Sequence, residues 1–304
     1  MHNDICFPAQ IVIGEILAAL NSGKYDVENT AVGMAKYIGD CRLTHYSALL
    51  RKIRPYELEP GSADRAFEQA MDEVINGMQQ SGIRGAKSGF KKAIRIMKEI
   101  PYDRSRPRPQ VLIVGEYLLN FHPGANHDIE KYLEKNGFEI IEARMTDVIQ
   151  KTYFYQDSQI REYHLNRPFG KKVWFRTADQ FFKMAHDLTD RIASEHPLYE
   201  KPARIEDLAK ESDPIIPHTF DAGEGILIPG EILHHAEKGC RTFVILQPFG
   251  CLPNHVVGRG ISKKLKEKYP DAQILPLDYD PDVSFANIEN RLQMLVMNIK
   301  ENRE

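Results

Sequence analysis

Three of the four cysteines stand in one kind of local setting. Cys251 follows the apolar, β-branched run Phe243 to Leu246 and the pair Phe249-Gly250, two residues before Pro253, where helical spacing begins. Cys6 stands two residues before Pro8 and the apolar-periodic segment Ile11 to Leu20, which stops at Asn21-Ser22-Gly23. Cys41 follows the apolar run Thr30 to Ile38 and the turn Gly39-Asp40, ahead of an expected helix from Thr44 to Ile53. Proline in the first turn of a helix sacrifices no hydrogen bond, because its missing N–H would be unpaired there. Each thiol is therefore placed at a helix entry, where free N–H groups and the positive end of the macrodipole favour thiolate over thiol.

Thiolates so placed serve as nucleophiles or metal ligands, and no CxxC spacing announces which. On local evidence a shared metal site and plain buried thiols both stay open. Three thiolates at helix N-termini suit an iron–sulfur cluster, whose negative charge is offset by N–H donors to its sulfurs. A cubane has four irons, so three cysteines leave one iron open. A Cys₃His zinc site that includes His45 or His255 is the competing arrangement. Cys240, at a strand entrance, reads as a packed thiol. Glu116, His122, Asn126 and His127 cluster in the loop after a predicted strand. Glu116 or His122 could transfer protons in a substrate cleft, or the cluster could simply cap the following helix. The pair His234-His235 on a helix reads as surface. No GxGxxG, Walker A motif or nucleophile elbow is present.

The elements that must carry these residues follow from periodicity. Helical spacing predicts helices over 63–78 and 88–100, the second with a basic, solvated face. The Pro/Arg-rich stretch 101–110 marks the expected domain boundary. Beyond it, strands are predicted at 111–114, 138–143, 243–246 and 273–278, with helices at 126–136, 223–237, 261–269 and 285–299. A mainly helical insertion spans about 152–215. The result is an α/β protein of two lobes: a helix-rich lobe, 1–106, carrying Cys6 and Cys41, and an open parallel sheet flanked by helices, 107–304, carrying Cys251. In such sheets ligands bind at the carboxyl ends of strands, where Gly115-Glu116 and Gln247 to Cys251 fall. The expected cluster site lies between the lobes.

Composition excludes several classes. A chain of 304 residues with net charge −3, 42% hydrophobic and 27% charged, is an ordinary globular one. It shows no long basic run with interleaved aromatics for nucleic acid, no bilayer-length apolar stretch and no signal-peptide pattern. A cytoplasmic setting is expected, where four cysteines do not make two structural disulfides.

Five blocks in order resemble one family: NDICFPAQIVIGEILAALNSGKYD, DCRLTHYSALLRK, RPYELEPGSAD, VGEYLLNFHPGANHDIEKYLEKNGFEIIEA and ILQPFGCLPNHVVGRG. They are similar to the 2-hydroxyacyl-CoA dehydratase and benzoyl-CoA reductase superfamily. Within it, the similarity is to the C-terminal region of the long CoA-substrate-specific enzyme activase proteins, related to the double-cubane cluster proteins. The resemblance covers most of the chain and is weakest over 152–215. It implies that Cys6, Cys41 and Cys251 ligate a [4Fe–4S]-type cluster, half of a double cubane in some arrangements. It also implies an oxygen-sensitive protein that receives electrons from an ATP-hydrolysing activator of the actin/Hsp70-like fold. A homologous subunit or second copy is expected to supply further ligands, and the substrate is expected to be a small molecule, with a CoA thioester as one candidate. Two departures stand out. Cys41 follows Ile38-Gly39-Asp40 where relatives carry a glycine-rich turn, and the first lobe is shorter than theirs.

Overall fold

In the computed structural model the described residues are 17–24, 44–220, 223–280 and 285–301. Four strands form one all-parallel sheet: β1 (Gln110–Gly115), β2 (Glu139–Glu142), β3 (Thr242–Pro248) and β4 (Gln273–Tyr279), in the order β2-β1-β3-β4. β3 is buried along its whole length, as its unbroken apolar, β-branched sequence requires of a central parallel strand. Leu112 pairs with Phe243 and Gly115 with Leu246 across β1 and β3, and Gln247 pairs with Asp278 across β3 and β4. The chain runs from β1 out to β2, then returns past β1 to β3. The order therefore reverses between β1 and β3, which makes their carboxyl ends the topological switch point.

The helices are α1 (Thr44–Ile53), α2 (Ser62–Lys98), α3 (Tyr117–Phe121), α4 (Pro123–Asn126), α5 (Ile129–Lys135), α6 (Met145–Glu162) and α7 (Phe169–Ala193). They continue with α8 (Ile205–Ser212), α9 (Leu227–Glu237), α10 (Ser262–Lys268) and α11 (Phe285–Glu301). α6 to α8 are the helical insertion that the sequence predicts. At the N-terminal end the helical residues 17–21 stop before Gly23, at the expected signal. The helix expected over 126–136 is interrupted at His127 and Asp128, both left-handed. The one expected over 223–237 starts at Leu227, after a run of turns.

The two helices predicted over 63–78 and 88–100 are the arms of α2, which breaks at Ser81-Gly82. Gly82 takes φ 56 and ψ −135, a region open to glycine alone. The arms fold back so closely that a Cβ on Gly85 would lie 1.8 Å from the Gly77 carbonyl oxygen. Lys92 of one arm donates to Glu73 of the other at 2.9 Å. A helical hairpin this tight needs glycine at the crossing.

Two compact units interleave along the chain, one including Leu112–Tyr132 and Leu208–Glu304, the other Asp40–Val111 and Leu133–Asp207. The division thus differs from a cut at 106/107, and packing explains why. Leu49, Ile53, Phe90, Ile94 and Met97 of α1 and α2 share one core with Ile192 and Ala193 at the end of α7. The Pro/Arg-rich stretch is not a free linker either. Arg104 stacks over the Tyr56 ring at 4.5 Å and donates to buried Glu139 at 2.6 Å. Tyr56 Oη and Gln110 Nε2 donate to the same carboxylate at 2.8 and 3.1 Å. Among the described residues no helix is long and apolar enough to cross a membrane.

Two stability measurements follow. Gly85→Val forces the hairpin arms apart, and urea denaturation should show a loss of about 1–3 kcal/mol, the usual cost of overpacking. Buried His196 accepts the Leu198 N–H at Nδ1 (3.1 Å), and burial holds its pKa below the ordinary value. Its neutral form is favoured in the native state, so its contribution is full above the unfolded value of about 6.5 and is lost as pH falls toward the native pKa. The urea midpoint should therefore fall from pH 7 to 5.5 more steeply in wild type than in His196→Asn, which keeps an acceptor but cannot titrate.

Candidate functional site

The switch point brings Glu116 and Cys251 to neighbouring strand ends. Gly115 ends β1 at φ 144, and a Cβ there would meet the Leu246 carbonyl oxygen at 2.1 Å, so only glycine fits. The next residue extends the ladder: the Glu116 N–H donates to the Leu246 carbonyl at 2.9 Å. The Glu116 carboxylate then turns back onto α3 and accepts the Leu119 N–H at 3.1 Å and that of Leu118. Burial outweighs these bonds and pushes its pKa up. His122 caps α4, with Nδ1 accepting the Ala125 N–H at 3.0 Å. Both residues thus carry capping bonds.

Asn126 is buried, with Nδ2 donating to the Leu119 carbonyl at 2.7 Å and its own carbonyl accepting from Tyr279 Oη at 3.2 Å. His127 packs between rings, 6.2 Å from Tyr279 and 5.0 Å from Phe285.

Beyond β3, the Cys251 N–H closes a turn onto the Pro248 carbonyl at 3.1 Å. Helical backbone begins at Leu252-Pro253, as the sequence predicts, but its next turn, Asn254–Arg259, is a π turn. The half-buried Cys251 Sγ accepts from Asn254 twice, from the backbone N–H and from Nδ2 at 3.4 Å. Fully buried Asn254 shares that Nδ2 with Glu224 Oε2 at 3.0 Å. A flipped amide would set its oxygen against the carboxylate, so this orientation is fixed. Asn254 Oδ1, Gln247 Oε1, Asn120 Oδ1 and Asn126 Oδ1 are buried with no hydrogen-bond partner among the described residues. Phe249 and Leu252, on either side of the thiol, are largely exposed and form an apolar rim.

The electrostatics differ from the thiolate-favouring helix entry that the sequence suggests. Desolvation is the largest influence and raises the Cys251 pKa; the Asn254 bonds lower it, and the Glu224 and Glu116 charges raise it again. The net direction is up. The helix entry does supply N–H donors, but burial beside two acids outweighs them.

Cys6 and Cys41 lie outside the described residues, as does the His45 side chain. His255 donates Nδ1–H to the Cys251 carbonyl at 2.7 Å and sets Nε2 4.0 Å from Asp278, so neither nitrogen faces Sγ. Asp278 also accepts from Gln247 and approaches Arg259 at 3.6 Å. Cys240 is a packed thiol as expected, donating to the Thr242 carbonyl at 3.5 Å, with burial pushing its pKa up. His234 and His235 are half-buried rather than surface residues, 3.1 Å from Glu211 and 3.4 Å from Glu231. Among the described residues no group of three or more His, Cys, Asp or Glu could hold a metal ion.

Sequence reasoning missed Asn254 and Glu224. Asn254 could have been found, since it stands three residues after Cys251, the spacing at which helix-entry N–H groups turn back on a cap. Glu224 carries no local signal. No family model, curated protein or solved structure matches the chain.

Neutralising one acid tests these electrostatics. In metal-free protein, Glu224→Gln should lower the Cys251 pKa and speed its alkylation at pH 8 severalfold over wild type, read by peptide mass spectrometry at position 251. An unchanged rate would show that the carboxylate does not act on the sulfur.

Proposed function

We propose that this chain is an iron–sulfur protein of the 2-hydroxyacyl-CoA dehydratase/benzoyl-CoA reductase type. In this reading Cys251, with Cys6 and Cys41, holds a [4Fe–4S]-type cluster and serves ATP-coupled low-potential reduction or reductive dehydration. The observation that carries it is the pair of N–H donors from Asn254 on the Cys251 sulfur at the switch point. Donors of this kind offset the negative charge of cluster sulfurs and tune their potential. Glu116 and Glu224 oppose a bare thiolate and, when ionised, would also oppose a net-negative cluster, so this reading has Glu116 protonated, the form its burial favours.

A bound cluster supplies one-electron chemistry at low potential. The chain's own residues do the rest. Phe249 and Leu252 offer an apolar rim to a partner or substrate. Glu116, with its pKa raised by burial, is the residue to hold and pass a proton. His122, whose Nδ1 accepts the Ala125 N–H, is held by that bond as the second candidate for proton transfer. The ATP-hydrolysing activator, a homologous subunit or second copy, and a small-molecule substrate belong to the same proposal.

Anaerobic purification tests it. The expected protein is brown and contains about four irons and four sulfides per chain, the cubane stoichiometry, with an electron paramagnetic resonance signal on reduction. Cys251→Ala should lose most of the iron and the signal. A colourless wild-type protein, or one containing zinc instead of iron, overturns the proposal in favour of an α/β binding protein. An iron protein with no turnover on addition of activator, ATP and substrate is an electron carrier rather than an enzyme.

A further inference from the structure

Helix α7 buries several polar side chains and exposes large apolar ones. Toward α6, beside the stacked rings of Phe182 and Tyr153 at 5.8 Å, it makes polar pairs: Gln150 Nε2 donates to Asp179 at 2.9 Å, Thr146 Oγ1 meets His186 Nε2 at 2.8 Å, and Arg144 reaches Asp190 at 3.4 Å. Asp147, Gln150, Asp179 and Asp190 are all buried there. Its outward side is apolar. Phe169 is 82% exposed, Trp174 61%, Phe181 66% and Met184 71%, with Val173 and Leu188 in the same stripe. Scattered exposed apolar residues are normal, but one continuous stripe that runs about 28 Å along a helix marks an interface.

We infer that this stripe is where two copies of the chain pair, helix α7 against helix α7, antiparallel about a two-fold axis near Phe181. Three observations choose this occupant. Trp174, Thr177, Phe181, Met184 and Leu188 recur at alternating steps of three and four, the seam of a helix–helix contact rather than of a flat surface. The stripe offers roughly 700 Å² per copy, if a large side chain carries about 150–250 Å², close to the ~800 Å² per partner of a stable interface. Its edge is self-complementary in charge. Arg176 and Asp187 flank the same side of the seam, on either side of Phe181, so a two-fold sets each Arg176 beside the partner's acidic position, and the reverse. Among the described residues Arg176 reaches Asp157 at 3.7 Å, and Asp187 meets Arg204 and Lys201 through Oδ1. An anionic lipid surface would be matched by a uniformly basic edge, which Asp187 interrupts. The inference is independent of any cluster.

Trp174 is the only tryptophan, so its emission reports directly on the seam. Sedimentation of the full chain from low to high micromolar concentration should show a monomer–dimer equilibrium, with Trp174 emission shifting to the blue as dimer forms. Phe181→Glu should weaken the dimer by about 30-fold or more, the effect of losing a central anchor, with an unchanged circular dichroism spectrum. Should that variant not fold, the charges decide: Arg176→Asp alone weakens the dimer, and Arg176→Asp with Asp187→Arg restores it. A monomer at every concentration, a dimer indifferent to these substitutions, or a blue shift only with phosphatidylserine vesicles overturns the inference.

Discussion

Everything near the candidate site depends on the parallel pairing of β1 with β3. These strands are distant in sequence, and the chain visits β2 and the helical insertion between them. Because the chain leaves β1 in one direction and returns on the other side, the carboxyl ends of β1 and β3 form the switch point at which such sheets bind ligands. The strand ends also fix the residues that follow them. The Glu116 N–H continues the ladder on Leu246, which fixes where its carboxylate begins its turn onto α3. Cys251 closes the turn at the end of β3. The placement of both residues is thus a property of the sheet.

Asn254 joins the two carboxyl-end loops to a third segment. One carboxamide nitrogen serves both the thiol sulfur and the Glu224 carboxylate. Burying a thiol disfavours its charged form, and the two nearby carboxylates add to that. The raised pKa of Cys251 follows mainly from its burial. Burial and the two acids make the thiol a poor free nucleophile, and the Asn254 donors on its sulfur are the physical basis of the proposed role.

Much of the fold was legible because it rests on local rules. The β-branched run at 243–246 could only be a buried strand, and the glycine that ends β1 and the Pro253 helix entry both stand where their chemistry places them. The helical insertion was also visible, by its spacing. What escaped depended on contacts between distant segments. The arms of α2 were read as two helices with no hint that they touch, because Gly77 and Gly85 signal closeness only once paired. The boundary expected at 101–110 rested on composition, whereas Glu139, far along the chain, pulls Tyr56, Arg104 and Gln110 together. The cysteine spacing gave a sulfur at a helix entry, but not the burial that, with the two acids, reverses its bias. The buried polar pairs of α7 were likewise hidden: its aromatic-rich run was apparent, but which side faces out was settled by α6.

The π turn at Asn254–Arg259 has an evolutionary corollary. Such a turn holds one residue more than an α turn and is hydrogen-bonded less favourably. Loss of any single residue there would let the backbone relax into a better-bonded helix, yet it would also rotate everything upstream by about a third of a circle. Asn254, carried round together with Cys251, would swing away from Glu224 while the backbone bonding improved. Drift toward a better-bonded turn would therefore break the Asn254–Glu224 contact, and on the proposed reading it is binding at the sulfur that keeps the irregular turn in place.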